Sequence, residues 1–451
     1  MTTRRLAGAL LLAGIAGLSF AAEAQAPDLA APIVAPSASG STAAPALPAS
    51  GEAPATSPPP VAAFDAAAAT EAYLARLTPD ERERSDAYFE GGYWLRLWNF
   101  LYGLGVAWLL LGSGLARRLS GRIARLTGRR SLQVGLFGAA YVALVTLLSF
   151  PLTVYEDFFR EHQYGLATQQ FPGWLRDRAV GLAVSLLLLP PLLMALYAVL
   201  RRKPRTWWLW GAGVSLAFVV FLSLISPVYV DPLFNKYEPL PEGPVRSEIL
   251  RLAHASSVEA NDVFRFDASR QTTRISANVS GFLGTMRIRL NDNLLERCTL
   301  PEIKAVMGHE VGHYALNHVY EGIIFFAIVL SFGFAFLSRS FEWARLRWGA
   351  RFGVAGVDDV TGLPLLAALL SVYFFAISPL LATYIRVNEA EADIYGLNAS
   401  REPEGFAEVS LKLGEYRKLS PRPVEEWVFF DHPSGRSRIR MAMEWRAANP
   451  Q

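Results

Sequence analysis

The sequence predicts an all-α polytopic membrane protein with about six transmembrane helices, preceded by a signal peptide or signal anchor, together with a small α+β domain. Three observations support this fold class. Of the 451 residues, 52% are hydrophobic and only 18% are charged, against about 25% charged residues in ordinary soluble proteins. Six separate apolar stretches can each form a helix that crosses or is buried in a membrane. Segments of mixed composition lie between the fourth and fifth stretches and after the sixth.

The N-terminus has the pattern of an exported protein. Residues 1–26 resemble a signal peptide or signal anchor, because Arg4 and Arg5 precede an apolar run that ends in small residues. Residues 27–68 consist almost entirely of Ala, Pro, Ser, Gly and Thr. Too few large apolar side chains are present there to offset the entropy of ordering, so we expect a flexible linker.

The rest of the chain divides into two regions around its apolar stretches. The region 69–230 contains four stretches of about 20 residues, enough to cross a hydrocarbon core of about 30 Å. They lie at 98–116, 132–155, 180–200 and 207–230. The region 231–451 contains two more, near 323–337 and 364–385. The fifth stretch is short, so a buried helix inside a bundle is an alternative to a span.

Basic residues predict how the chain is oriented. Arg and Lys side chains crowd the connections after the first, third and fifth stretches, and such connections remain cytoplasmic. The segment 231–320 and everything after residue 385 then lie on the other side. We therefore expect a bacterial inner-membrane protein whose mixed-composition segments are periplasmic.

Charge balance and cysteine usage limit the possible partners. The 43 Lys and Arg residues against 40 Asp and Glu residues leave a net charge of +3, too even for a chain that binds nucleic acid through its overall charge. The lipid bilayer is a partner and nucleic acid is not expected. Cys298 is the one cysteine of the sequence. It cannot provide a thiolate cluster, so a bound metal must use His and carboxylate ligands.

Residues 300–318, LPEIKAVMGHEVGHYALNH, combine helical apolar spacing with a metal-ligand pattern. His309 and His313 are four residues apart and share one helix face, so both can bind a tetrahedral Zn²⁺. Glu310 lies about 100° round the helix, beside the open position where a water would be deprotonated. The pattern predicts a zinc peptidase site. The alternative is two histidines and a solvated glutamate on a surface helix.

A second segment offers a third ligand. In RVNEAEAD at 386–393, Glu389 and Asp393 are four residues apart and share a helix face. One carboxylate could reach the metal while the other accepts a hydrogen bond from the far nitrogen of a ligand histidine. Glu391 is expected to point elsewhere, towards solvent. Spacing alone leaves an acidic helix face near a membrane boundary as an equally good interpretation.

Taken together, these motifs resemble the CAAX prenyl protease type 1 family of integral-membrane zinc metallopeptidases, gluzincins with HExxH and ExxAD sequences. Further segments are similar to the family: FNKYEPLPEG at 234–243, RIRLNDNLL at 287–295 and HPSGRSRI at 432–439. The resemblance implies one zinc ion per chain, bound by His309, His313 and Glu389. It also implies that Glu310 is the general base and that Asp393 orients His309.

The resemblance implies roles for a second group of residues. His432 would stabilise the oxyanion, and Arg386 and Arg438 would support the site. An extended edge strand, here SANVSG at 276–281, would accept the substrate backbone. Its candidate substrate contacts are Ala277, Asn278 and Val279.

The expected function is that of a membrane-embedded zinc metalloendopeptidase, which hydrolyses peptide bonds with a zinc-activated water and Glu310 as general base. Its partners are peptide or protein substrates, some of them membrane-associated. One alternative is a CAAX-type prenyl-protein endoprotease. The signal sequence and the arginine-rich connections depart from the eukaryotic members and favour periplasmic substrates instead. A non-catalytic membrane scaffold that keeps zinc for stability is a further alternative.

Overall fold

The structure, a computed structural model, describes residues 64–260, 262–280 and 286–450. The predicted signal peptide and most of the predicted linker lie outside these residues. The described part is mostly helical, and the predicted fold class is confirmed. In chain order the helices are α1 (Ala66–Leu74), α2 (Pro79–Gly112), α3 (Leu115–Leu126), α4 (Arg130–Val154), α5 (Phe171–Arg202), α6 (Trp207–Ile225), α7 (Pro244–Ala255), α8 (Asp292–Arg297), α9 (Leu300–Ala315), α10 (His318–Phe352), α11 (Leu363–Ser400), α12 (Pro403–Leu413), α13 (Pro423–Phe429) and α14 (Gly435–Ala448).

Within the described ranges, six helices are long and apolar enough to cross a membrane. They are α2, α4, α5, α6, α10 and α11; α4 continues through a π-helical turn to Gln163, and α6 continues to Leu233. Buried apolar side chains from all six form one core, which includes Leu110, Phe137 and Phe341. Large apolar side chains such as Trp108 and Phe332 remain exposed on the spans, as a surface that contacts lipid requires.

A small sheet carries the substrate-strand candidates. Its strands are β1 (Tyr237–Pro239), β2 (Val263–Phe266), β3 (Ala277–Ser280) and β4 (Arg287–Asn291), in the spatial order β1-β2-β4-β3. β2 and β4 are parallel, and the other two pairings are antiparallel. Helices α7 and α9 share a buried apolar core with the sheet. Strand β3 therefore lies at one edge of the sheet and contacts the helix that contains HEVGH.

Two polar networks, one of them fully buried, join the sheet region to the spans. The Asp231 carboxylate, in the continuation of α6 to Leu233, lies 2.7 Å from the Arg289 guanidinium on β4, and both side chains are only 3% exposed. At the end of α4, Glu161 accepts hydrogen bonds from Tyr88 of α2 at 2.6 Å and from Arg274 at 2.8 Å. Arg274 lies three residues before β3. These contacts fix the edge strand relative to the membrane helices.

Candidate metal centre

Helix α9 begins with a capping box. The backbone N–H of Thr299 donates to the Glu302 carboxylate at 2.6 Å, and Pro301 occupies the first turn, where its missing N–H costs nothing. The helix then runs unbroken to Ala315, which places His309 and His313 on one buried face. The sequence thus presents both imidazoles from a rigid element.

A close crossing of α9 and α11 brings the second motif to these histidines. A Cβ atom added to Gly308 would lie 2.8 Å from the carbonyl oxygen of Gly396, and one added to Gly396 would lie 2.7 Å from the backbone nitrogen of His309. Real Cβ atoms do not approach backbone atoms so closely, so both positions require glycine. The two backbones can then touch, and Glu389 and Asp393 of α11 face His309.

Three buried side chains converge on one point. Nε2 of His309 lies 3.1 Å from Nε2 of His313 and 3.2 Å from Oε2 of Glu389. Nε2 of His313 lies 3.6 Å from Oε1 of Glu389. Tetrahedral bonds of about 2.0–2.1 Å place ligand atoms about 3.3 Å apart. The three donors therefore fit one metal ion, and two nitrogens with one carboxylate oxygen suit zinc.

Asp393 and Arg438 surround His309 on its other side. Nδ1 of His309 lies 2.7 Å from Oδ1 of Asp393. The other carboxylate oxygen of Asp393, Oδ2, accepts a hydrogen bond from Nε of Arg438 at 2.8 Å. Burial lowers the pKa of His309, but hydrogen bonds to Asp393 and Glu389 outweigh it and raise the pKa to about 9. Burial also lowers the pKa of Arg438, and the Asp393 carboxylate more than compensates. The carboxylates of Asp393 and Glu389 thus favour positive charge at His309.

His432 approaches the same carboxylate from the C-terminal segment. Its Nε2 lies 3.2 Å from Oε2 of Glu389, and its Nδ1 lies 2.8 Å from the Asp431 carboxylate. Burial raises the pKa of Asp431, but the adjacent His432 lowers it below the usual value. Asp431 therefore holds a proton on Nδ1 of His432, and Nε2 of His432 faces the Glu389 carboxylate.

The other predicted residues occupy different places around the centre. Glu310 is partly exposed, whereas its neighbour His309 is buried. Arg386 donates to the carbonyl oxygens of Glu426 at 3.0 Å and of Phe430. It therefore fastens the segment that leads to His432 onto α11.

The three candidate substrate contacts all lie on the edge strand β3. Ala277 is buried against the core between the sheet and α9, and Val279 packs on the same core. Asn278 alternates to the opposite face, and its Oδ1 is buried with no hydrogen-bond partner among the described residues. The strand thus has an apolar face towards α9 and a polar face away from it.

Two residues near the centre are absent from the sequence prediction. His318 is fully buried, and its Nδ1 lies 2.8 Å from Nδ1 of His313, although it follows His313 by five residues. The left-handed conformation of Asn317, with φ of 57°, explains the contact because it ends α9 and turns the chain back. The contact of Asp431 with His432 was also not predicted. The one feature of the sequence that could have indicated it is the position of Asp431 directly before the HPSGRSRI motif.

Comparisons with known proteins identify the families that the chain resembles. Residues 239–446 match the family description "Peptidase family M48". Residues 65–236 match "CAAX prenyl protease N-terminal, five membrane helices". Among similar curated proteins, the "Uncharacterized metalloprotease YhfN" of Bacillus subtilis is 29% identical over 76% of this chain and 82% of its own length. "CAAX prenyl protease 1" of Saccharomyces cerevisiae is 26% identical over 66% of this chain and 69% of its own.

A solved structure has the same fold. The crystal structure of S. mikatae Ste24p superposes with a TM-score of 0.68 at 19% identity, covering 84% of this chain and 94% of that one. The fold and site define an integral-membrane metallopeptidase. The chain belongs to peptidase family M48, among the membrane enzymes of the CAAX prenyl protease type 1 group. The predicted family and enzyme class are confirmed.

Proposed function

We propose that the protein is a zinc metalloendopeptidase in which His309, His313 and Glu389 bind one zinc ion. The observation that carries the proposal is the convergence of these three buried donors, whose ligand atoms all lie within 4.8 Å of one another. A purely structural zinc site is normally closed by four protein ligands, whereas a catalytic site keeps one position open. Three donors beside a partly exposed Glu310 favour the catalytic kind over a scaffold.

Different residues are proposed to carry out different steps of peptide-bond hydrolysis. When bound, zinc would polarise the scissile carbonyl and lower the pKa of an attacking water. Glu310 accepts the proton of that water and passes it to the leaving amine. Asp393 keeps the proton of His309 on Nδ1, so that Nε2 faces the other two donors. His432, in the imidazolium form with its Nδ1–H held by Asp431, would donate a hydrogen bond from Nε2 to the developing oxyanion.

Strand β3 is proposed to bind the substrate backbone. The backbone N–H of Asn291 on β4 donates to the carbonyl of Ser276 at 3.0 Å. In an antiparallel ladder, residues 276, 278 and 280 then direct their backbone groups to β4, and the intervening residues direct theirs to the open edge. Ala277 and Val279 can therefore pair with a peptide laid beside α9, and Asn278 contributes its side chain.

Unprenylated peptides on the periplasmic side of a bacterial inner membrane are the proposed substrates. All six spans fit a topology in which the arginine-rich connections lie at the end opposite the zinc ligands, which the positive-inside rule makes cytoplasmic. Relatives carry the name CAAX prenyl protease 1, so a prenyl-protein endoprotease is the second candidate. Its active site would need access to cytoplasmic prenylated proteins.

Two experiments test these proposals. A purified protein should cleave unprenylated peptides, lose cleavage with a chelator and regain it with zinc; farnesylated CAAX peptides that outcompete unprenylated ones would favour the second candidate. An alkaline phosphatase fused after Gln451 should be active and a cytoplasm-dependent reporter there inactive. The reverse pattern would contradict the periplasmic orientation.

A further inference from the structure

A buried histidine outside the three-donor set contacts one of the donors. His318 is the first residue of α10. The left-handed conformation of Asn317 reverses the chain direction, so that the imidazole of His318 contacts His313. The two Nδ1 atoms are 2.8 Å apart, and the ring centroids are 5.0 Å apart with the planes inclined at 62°. His318 is 0% exposed. At this distance one Nδ1 atom must carry a proton and donate it, and the other must accept it.

The position of the metal ligands decides which atom carries the proton. Nε2 of His313 faces His309 and Glu389, so it must present a lone pair to bind a metal. The proton of neutral His313 then resides on Nδ1 and is donated to Nδ1 of His318. His318 accepts through Nδ1 and carries its own proton on Nε2.

The remaining N–H of His318 lies near a carboxylate. Nε2 of His318 is buried with no hydrogen-bond partner among the described residues, and Oε2 of Glu391 lies 3.5 Å away. This separation is longer than a good hydrogen bond, but the charge favours the N–H form at that atom. Glu391 was expected to point to solvent, and its side chain is indeed 49% exposed; its inner oxygen nevertheless approaches the buried ring.

We propose that His318 is a positioning residue for His313: it fixes the tautomer and ring orientation in which Nε2 binds the metal, with Glu391 supporting it from α11. His309 is held in the same way by Asp393, so each ligand histidine has its own partner from a different part of the chain. The inference rests on the proposed metal-binding role of His309, His313 and Glu389. It adds that tight metal binding by His313 also requires the hydrogen bond to His318.

The test compares the zinc affinity of full-length variants in detergent, measured by competition with a chromophoric chelator. His318→Phe fills the space but cannot accept the bond, so zinc affinity should fall by about 10- to 100-fold, as for other partners of metal ligands. His318→Gln offers an amide oxygen and should retain most of the affinity. At saturating zinc, His318→Phe should regain most of the wild-type kcat. His254→Phe, on the exposed side of α7, is the matched control and should bind zinc normally.

The outcomes separate this inference from the proposed function. A wild-type protein that binds no zinc contradicts the proposed function itself. Wild-type affinity in His318→Phe, or equal losses in the Phe and Gln variants, overturns the role of His318 alone. If the metal-free Phe variant does not fold, Glu391→Leu decides the matter: a several-fold loss of zinc affinity supports the proposal, and unchanged affinity contradicts it.

Discussion

Oδ1 of Asp393 lies 2.7 Å from Nδ1 of His309, across the crossing of α11 and α9. The same carboxylate pairs with the buried Arg438. One aspartate therefore links His309, a proposed metal ligand, to the C-terminal helix. The contact therefore connects the proposed zinc site to the packing of α14.

Asp393→Asn should lower zinc affinity by about 10- to 100-fold. The amide removes the charge that holds the proton on Nδ1 of His309 and leaves Arg438 without its buried partner. Zinc titration of the purified variant measures the effect, and Arg440→Gln, which loosens an exposed pair with Glu444, serves as the control. Wild-type affinity in Asp393→Asn would refute the orienting role.

His432→Phe should reduce kcat by about 10²- to 10³-fold, the usual cost of removing one oxyanion donor. Zinc content should stay at the wild-type level because His432 is not one of the three donors. Steady-state kinetics together with metal analysis distinguish the two effects. A variant that loses zinc would show instead that His432 is a ligand.

Val279→Pro should lower kcat/KM for peptides by about three- to tenfold, the worth of roughly one hydrogen bond. Proline removes an N–H that faces the open edge and leaves the ladder to β4 intact. Asn278→Pro is the matched comparison, since it removes an N–H directed at β4 and should lower stability. Equal kinetic and stability effects in the two variants would argue against substrate pairing at this edge.

Arg289→Met should lower the free energy of unfolding by about 3–5 kcal/mol, because it leaves the buried Asp231 carboxylate without its partner. The double variant Asp231→Leu with Arg289→Met should recover most of this loss, since it removes both charges. Denaturant unfolding in detergent measures both. A double variant as unstable as the single one would mean that the pair has a role beyond charge compensation.

Features that depend on a single helix or on one regular residue spacing could be predicted from the sequence. An i, i+4 pair on a helix must share a face, so His309 and His313 were predictable, and so was a membrane location for long apolar stretches. The stretch near 323–337 shows the limit of such patterns. Helix α10 extends from His318 to Phe352. The apolar stretch predicts the membrane-buried part of this helix but not its ends, because polar residues on either side are also helical.

Contacts between distant segments could not be predicted from residue spacing. The approach of α11 to α9 depends on Gly308 and Gly396 meeting backbone to backbone, and neither glycine identifies its partner in the sequence. His318 reaches His313 because Asn317 adopts a left-handed conformation, which helical periodicity does not anticipate. The family resemblance provided what spacing could not: that Glu389 and His432 belong beside HEVGH.

The most direct test of the central claim compares wild type with Glu310→Gln at matched zinc loading, using mass spectrometry to map the products of a mixed peptide pool. The substitution keeps the size of the side chain and removes its basicity, so cleavage should fall by at least about 10²-fold while zinc content is unchanged. Defined internal cleavage sites that vanish in the variant are the predicted result. Undiminished cleavage by zinc-loaded Glu310→Gln would contradict the account of this protein as a peptidase that uses Glu310 as its base.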